Sequence, residues 1–179
     1  VQEGMDLIGI LDAEGNYSYV SPTSKKVLGI EADAFIGRSP FEFIHPEDAA
    51  NVLEFLGRIG TEDRVEITPF RFQNGSGEWR WIKTVLTNML AHPSIKGIVA
   101  NSRDITEQIE EQNQLKLLEN VVTNTSDAIL ITEAVSADGT GRKILYVNEA
   151  FTKMTGYAAS EVIGRSPSLL QGTKSDKME

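Results

Sequence analysis

The stretch Ile36-Gly37-Arg38-Ser39-Pro40 returns as Ile163-Gly164-Arg165-Ser166-Pro167. Both copies close a longer match. Tyr19 to Pro40 aligns with Tyr146 to Pro167 at a constant offset of 127 residues (146 − 19), and ten of the 22 paired positions are identical. An internal repeat decides architecture before any single motif does. A period this long, used twice, indicates two copies of one domain and not a solenoid. The repeat also reaches upstream, where Asp6-Leu-Ile-Gly-Ile-Leu-Asp12 echoes Asp127-Ala-Ile-Leu-Ile-Thr-Glu133 at an offset of 121. The second copy therefore carries six extra residues (127 − 121), which fit best in a loop between Ala134 and Arg142.

The two copies differ in extent. From Pro40 the first runs 66 residues to Thr106, whereas 12 residues follow Pro167. With the first copy as the ruler, the second is short by about 54 residues (66 − 12). The expected organisation is a whole domain over 1–106, a linker helix over 104–123 and the front half of a second domain over 124–179, in a piece of a longer protein. Such a half would expose a sheet edge, so it is expected to be loosely ordered or completed by a partner chain.

Composition narrows the function. With 40% hydrophobic residues the chain can build cores. It has no Cys, hence no disulfide, thiolate metal site or Cys nucleophile, which suits a reducing, cytoplasmic setting. Apolar runs are far too short to span a bilayer, so no direct membrane contact is expected. Net charge is −9, with acidic and basic residues interspersed; a nucleic-acid backbone would be repelled.

Within the first copy, Leu7 to Asp12 and Tyr17 to Val20 flank the turn Ala13-Glu-Gly-Asn16 and predict a hairpin. Ser21-Pro22 predicts a capped helix that ends at Gly29. A helical turn from Glu31 stops at Gly37, and Ser39-Pro40-Phe41-Glu42 fits a capping box. Pro46 opens a longer helix with Val52, Leu56 and Ile59 on one face, closed by Gly60. Three strands follow: Arg64 to Gln73, Glu78 to Ala91 after the turn Asn74-Gly-Ser-Gly77, and Ile98 to Arg103. Two strands, short helices, then three strands predict an α+β fold with an antiparallel sheet.

At Asp104 the periodicity changes. Asp104-Ile-Thr-Glu107 fits a second capping box, and no Gly or Pro interrupts the chain to Val122. Ile109, Leu115, Leu118 and Val122 form a broken apolar stripe that is expected to pair with a second chain as a short coiled coil.

Taken together, these residues resemble a PAS domain. The resemblance rests on Asp12-Ala-Glu-Gly-Asn16, Tyr19-Val-Ser-Pro22, Ile36-Gly-Arg-Ser-Pro40, His45-Pro-Glu-Asp48, Gly77-Glu-Trp-Arg-Trp-Ile82 and Asn101-Ser-Arg-Asp-Ile-Thr-Glu107, in that order. The second copy shares it through Tyr146-Val-Asn148, Thr155-Gly-Tyr157, Glu161-Val-Ile-Gly164 and Leu170-Gln-Gly172. The resemblance implies five antiparallel strands with flanking short helices. It also implies a sensory and dimerisation module ahead of an output domain, in bacterial arrays commonly a histidine kinase of a two-component system or a cyclic-dinucleotide enzyme. It casts Asp104, Ile105 and Thr106 as the relay between sheet and linker helix. A small unidentified ligand would lie between the helical flank and the inner sheet face, against Phe43, Ile44, Val52, Leu56, Phe70, Phe72 and Leu86.

Chemistry of its own is not expected. Residues 164–172 resemble the blue-light flavin branch of the family, but Pro167 stands where that branch places its reactive Cys, so flavin–cysteinyl chemistry is excluded. Haem needs an axial ligand; His45 and His92 each precede a Pro and read as turn residues. No metal cluster, glycine-rich nucleotide loop or nucleophile elbow is present; Gly139 and Gly141 lack the third glycine of such a loop. Trp79 and Trp81 share one strand face and read as core or interface packing before cofactor stacking. The expected function is non-enzymatic sensing. The alternatives are a haem- or flavin-binding redox or gas sensor and a ligand-free interaction scaffold.

Overall fold

The computed structural model describes residues 6–134 and 142–171. The extra loop of the second copy, with Gly139 and Gly141, and Gly172 of the Leu170-Gln-Gly172 match lie outside the described residues. The chain divides into two units, 1–111 and 112–179.

In the first unit, alternating apolar residues build a five-stranded antiparallel sheet in the order β2-β1-β5-β4-β3. Its strands are β1 (Leu7–Leu11), β2 (Tyr17–Val20), β3 (Arg64–Gln73), β4 (Trp79–Met89) and β5 (Gly97–Asp104). The helical flank between β2 and β3 consists of α1 (Thr23–Leu28), 3-10 turns at Ala32–Ala34 and Pro40–Glu42, and α2 (Pro46–Arg58). This is the arrangement that the resemblance implies, and the long helix α3 (Thr106–Asn124) follows β5.

Register decides which side chains face the core. Val65 and Ile67 of β3, Ile82, Thr84 and Leu86 of β4 and Ile98 and Ala100 of β5 all point inward and are buried. They pack beneath Leu28, Phe35, Phe43, Ile44, Val52 and Ile59 from the helical flank. A bulge between Ile67 and Phe70 surrounds Pro69, which has no N–H for the ladder, and restores the inward phase at Phe70 and Phe72. Gly97 is needed for a close approach: a Cβ there would meet the Leu11 carbonyl oxygen at 2.5 Å.

Local signals are realised with differences in detail, among them β4, expected over Glu78 to Ala91 and observed over Trp79–Met89. The Ser39 hydroxyl accepts from the Phe41 N–H, and the Glu42 carboxylate accepts from the Ser39 N–H, completing the predicted box. Ser21, expected to cap α1, does otherwise: its hydroxyl oxygen accepts the Ile8 N–H of β1 at 3.1 Å, and α1 begins without a side-chain cap. Helix α2 ends at Arg58 with Ile59 as its cap and Gly60 directly after, as read from sequence, and Asn88 donates its amide to the Ile59 carbonyl at 3.0 Å. Trp79 and Trp81 face away from the core, since Ile82 and Thr84 take the inward positions of β4. Their surroundings are His45, edge-on to Trp79 at 4.6 Å, and the Arg71 guanidinium, 5.7 Å from the Trp81 ring.

The second unit repeats the opening of the first. Strands β6 (Leu130–Thr132) and β7 (Ile144–Val147) pair antiparallel, and α4 (Glu149–Thr155) and α5 (Ala159–Val162) follow. Ile144, Val147, Phe151 and Val162 form its core.

Candidate functional site

Between the helical flank and the inner sheet face of the first unit lies a cavity of about 50 Å³. Ile44, Val52, Leu56, Phe70, Phe72 and Leu86, all singled out from sequence, line it. Phe43 does not. Its ring stacks on Phe72 at 5.4 Å and 11° and supports the wall from behind. Further wall residues escaped the sequence reading, among them Tyr17, Ile67, Thr84, Ala100 and Ser102.

The polar part of this wall comes from three strands. Thr84 of β4 pairs with Ser102 of β5, and their hydroxyl oxygens lie 2.8 Å apart. Tyr17 of β2 reaches the same region by crossing β1 at Gly9, where a Cβ would stand 3.0 Å from Tyr17 Cε1. A smaller cavity of about 20 Å³ lies among Gly9, Tyr17, Ala100 and Ser102. The Tyr17 hydroxyl forms no hydrogen bond with any described residue, and burial pushes its phenol above the ordinary value. No signal in the local sequence marks these hydroxyls, because only the sheet register brings them together.

A second feature joins sheet to helix. Asp104 ends β5 opposite Ile82, and its carboxylate accepts the Thr106 N–H at 2.8 Å, the Asp half of the predicted cap. The Ile105 N–H donates to the Trp81 carbonyl at 2.8 Å. The Trp81 N–H donates to the buried Thr106 hydroxyl oxygen, also at 2.8 Å. All three residues picked as a relay thus meet at one end of β4. Along α3, Leu115 and Leu118 are exposed, the latter 55%, and so are Leu117 and Val121, which the predicted stripe omitted. Ile109 and Val122 are half-buried.

The start of the second unit is organised by Asn148, 2% exposed. Its Oδ1 accepts the N–H groups of Ile129 and Phe151 at 2.9 and 3.0 Å, capping α4. Its Nδ2 donates to the carbonyls of Val122 and Asp127 at 3.1 and 2.9 Å. In the repeat Asn148 aligns with Ser21 (148 − 21 = 127), whose hydroxyl makes the matching bond to Ile8. Sequence reasoning missed Asn148, although its place beside Ser21 in the repeat and its cap-forming side chain mark it.

One charged cluster ties a helix to the sheet. Arg71 clamps Asp48 through two side-chain bonds of 2.9 and 2.8 Å and reaches Glu47 at 2.8 Å, tying α2 to β3. The guanidinium holds the Asp48 carboxyl below its ordinary value, mainly by hydrogen bonding. His45 Nδ1 accepts the Glu47 N–H at 3.2 Å as the cap of α2, and His92 Nδ1 accepts the Ser94 N–H at 3.3 Å in a loop. Among the described residues no three of His, Asp and Glu come together as a metal cluster. No helix among them is long and apolar enough to cross a membrane.

Comparison with known proteins agrees with this architecture. Residues 2–110 match the family profile described as PAS fold, and residues 116–177 match that described as PAS domain. The blue light receptor lreA of Aspergillus flavus is 30% identical over 84 residues, 47% of this chain and 10% of the receptor; the chain therefore spans about a tenth of that relative's length. A PAS domain from Colwellia psychrerythraea is similar in structure, with TM-score 0.51 and 18% identity over 57% of this chain and 87% of that one. The PAS-B domain of Drosophila melanogaster Cycle with bound ethylene glycol gives TM-score 0.49 and 18% identity over 54% of this chain and 96% of that one.

Proposed function

Because the chain belongs to the PAS family, we propose that it is a non-enzymatic sensory and dimerisation module whose first domain reads the occupancy of its interior cavity and hands the result to α3. PAS domains are generally sensory and non-catalytic, and the match to a blue light receptor supports signal sensing. The observation that carries the mechanism is the double bond pattern at Trp81, whose N–H and carbonyl hold Thr106 and Ile105. A ligand that favours one setting of the inner sheet face over another shifts the population of helix positions by its differential affinity. Two chains associate through the exposed leucines of α3. The receiver is an output domain of the parent protein, a histidine kinase or a cyclic-dinucleotide enzyme, in the cytoplasm, without contact to nucleic acid or membrane.

The match to a blue light receptor favours a second reading, a cavity that holds a flavin or another large cofactor. The residues present fit it poorly. A cavity of about 50 Å³ is smaller than the roughly 150 Å³ that admits benzene, far short of a tricyclic flavin or a porphyrin.

Native mass spectrometry of the purified chain, compared with its denatured mass, tests the reading. A dimer carrying a small mass lost on denaturation supports it; a monomer with a clean apo mass overturns it. Sedimentation of Leu118→Glu tests the interface, with dissociation expected. An unchanged dimer would reject α3 as the contact.

A further inference from the structure

We propose that the cavity of the first domain is a receptor for a short-chain, uncharged alcohol. The inference rests on the reading of that cavity as the sensory site and names its ligand class. The size comes from the volume. At about 50 Å³ the cavity takes roughly two to four heavy atoms, more than one water and less than benzene.

Charge is settled by the lining, which contains no Asp, Glu, Lys, Arg or His. An ion placed there would lose its hydration without a partner, a cost that restricts the occupant to neutral molecules. The apolar stem is received by Ile67, Phe70 and Leu86.

The oxygen is called for by hydroxyl chemistry. In the Thr84–Ser102 pair one hydroxyl donates to the other, which leaves one O–H free to donate and lone pairs free to accept. Tyr17 adds a donor that no described residue satisfies. An alcohol answers both needs, since its hydroxyl accepts from one wall and donates to the other. Hydrocarbons and inert gases can fill the space but offer these hydroxyls no hydrogen bond, so they gain nothing from the polar wall.

The test uses the whole chain, followed through its backbone amide resonances, with 1-propanol, acetate and xenon as probes. Propanol should shift the amides of Gly9, Leu86, Ala100 and Ser102 along a saturable curve, and acetate should not. Tyr17→Phe and Thr84→Val should each weaken propanol binding about five- to tenfold. Both variants should keep the xenon response, which shows that the cavity survives the substitution. Xenon entry with propanol affinity unchanged in both variants would overturn recognition of the hydroxyl and leave the sensory cavity standing. Saturable acetate binding at the same amides would overturn the neutral class. Failure of both propanol and xenon to reach the inner face would overturn the cavity as a receptor and the ligand class with it.

Discussion

The Trp81 N–H donates to the Thr106 hydroxyl oxygen at 2.8 Å, so the first residue of α3 is bonded to a strand 25 residues away in sequence. Thr106 is buried, and a valine of the same shape would leave the Trp81 N–H without its acceptor. Thr106→Val should cost the first domain about 1–3 kcal/mol in chemical denaturation, while Thr106→Ser should recover most of the loss. Equal stability of the two variants would show that this bond contributes nothing.

Asn148 uses its full bonding capacity, two acceptor and two donor contacts. Asn148→Ala should lose about 2–4 kcal/mol of local stability. Hydrogen exchange should quicken at Ile129 and Phe151, whose N–H groups lose their acceptor. Unchanged protection at both amides would contradict the assignment of Asn148 as the organising residue.

The Asp48–Arg71 clamp makes a pH prediction. The Asp48 carboxyl is held below its ordinary value in the folded state, so the clamp stabilises the fold fully above the unfolded value of about 3.9. That contribution is lost as pH falls through the lower folded value. Asp48→Asn should therefore be less stable than the parent at pH 7, and the gap should narrow progressively below about pH 4. A gap that stays constant from pH 7 to pH 2 would count against the clamp.

Gly97→Ala should destabilise the sheet by about 1–3 kcal/mol, because its methyl group would enter the space of the Leu11 carbonyl and Ile10 side chain. Thermal unfolding of the variant measures this. Gly57→Ala, where a Cβ meets nothing within 4 Å, is the matched control and should be neutral or better.

Much of the fold was legible because its signals are local. The period-two alternation of β3 gave Arg64 to Gln73, and the Asn74-Gly75-Ser76-Gly77 turn fixed the hairpin that follows. Strand β5 runs one residue further at each end than alternation suggested, since Gly97 pairs with Met89 and Asp104 with Ile82. Orientation was not legible. Period two places Trp79 and Trp81 together but cannot say on which face, and the inward place went to Ile82 and Thr84 because the helical flank covers that side. The apolar wall of the cavity was readable as hydrophobicity. Its hydroxyls were not, because Tyr17, Thr84 and Ser102 meet only after three strands have been placed in register.

The pairing of β1 with β5 has a consequence for how the domain is made. Leu7 sits opposite Ser102, so the centre of the sheet joins residues near the beginning and near the end of the domain. Closing a loop of that length carries an entropic cost that local helices and hairpins never meet, and it delays the rate-limiting contacts. On the ribosome the β1–β2 and β3–β4 hairpins can form as they emerge, yet each waits beside an open edge until β5 has been synthesised. The last strand of the first domain to leave the tunnel is thus the one that unites its two halves.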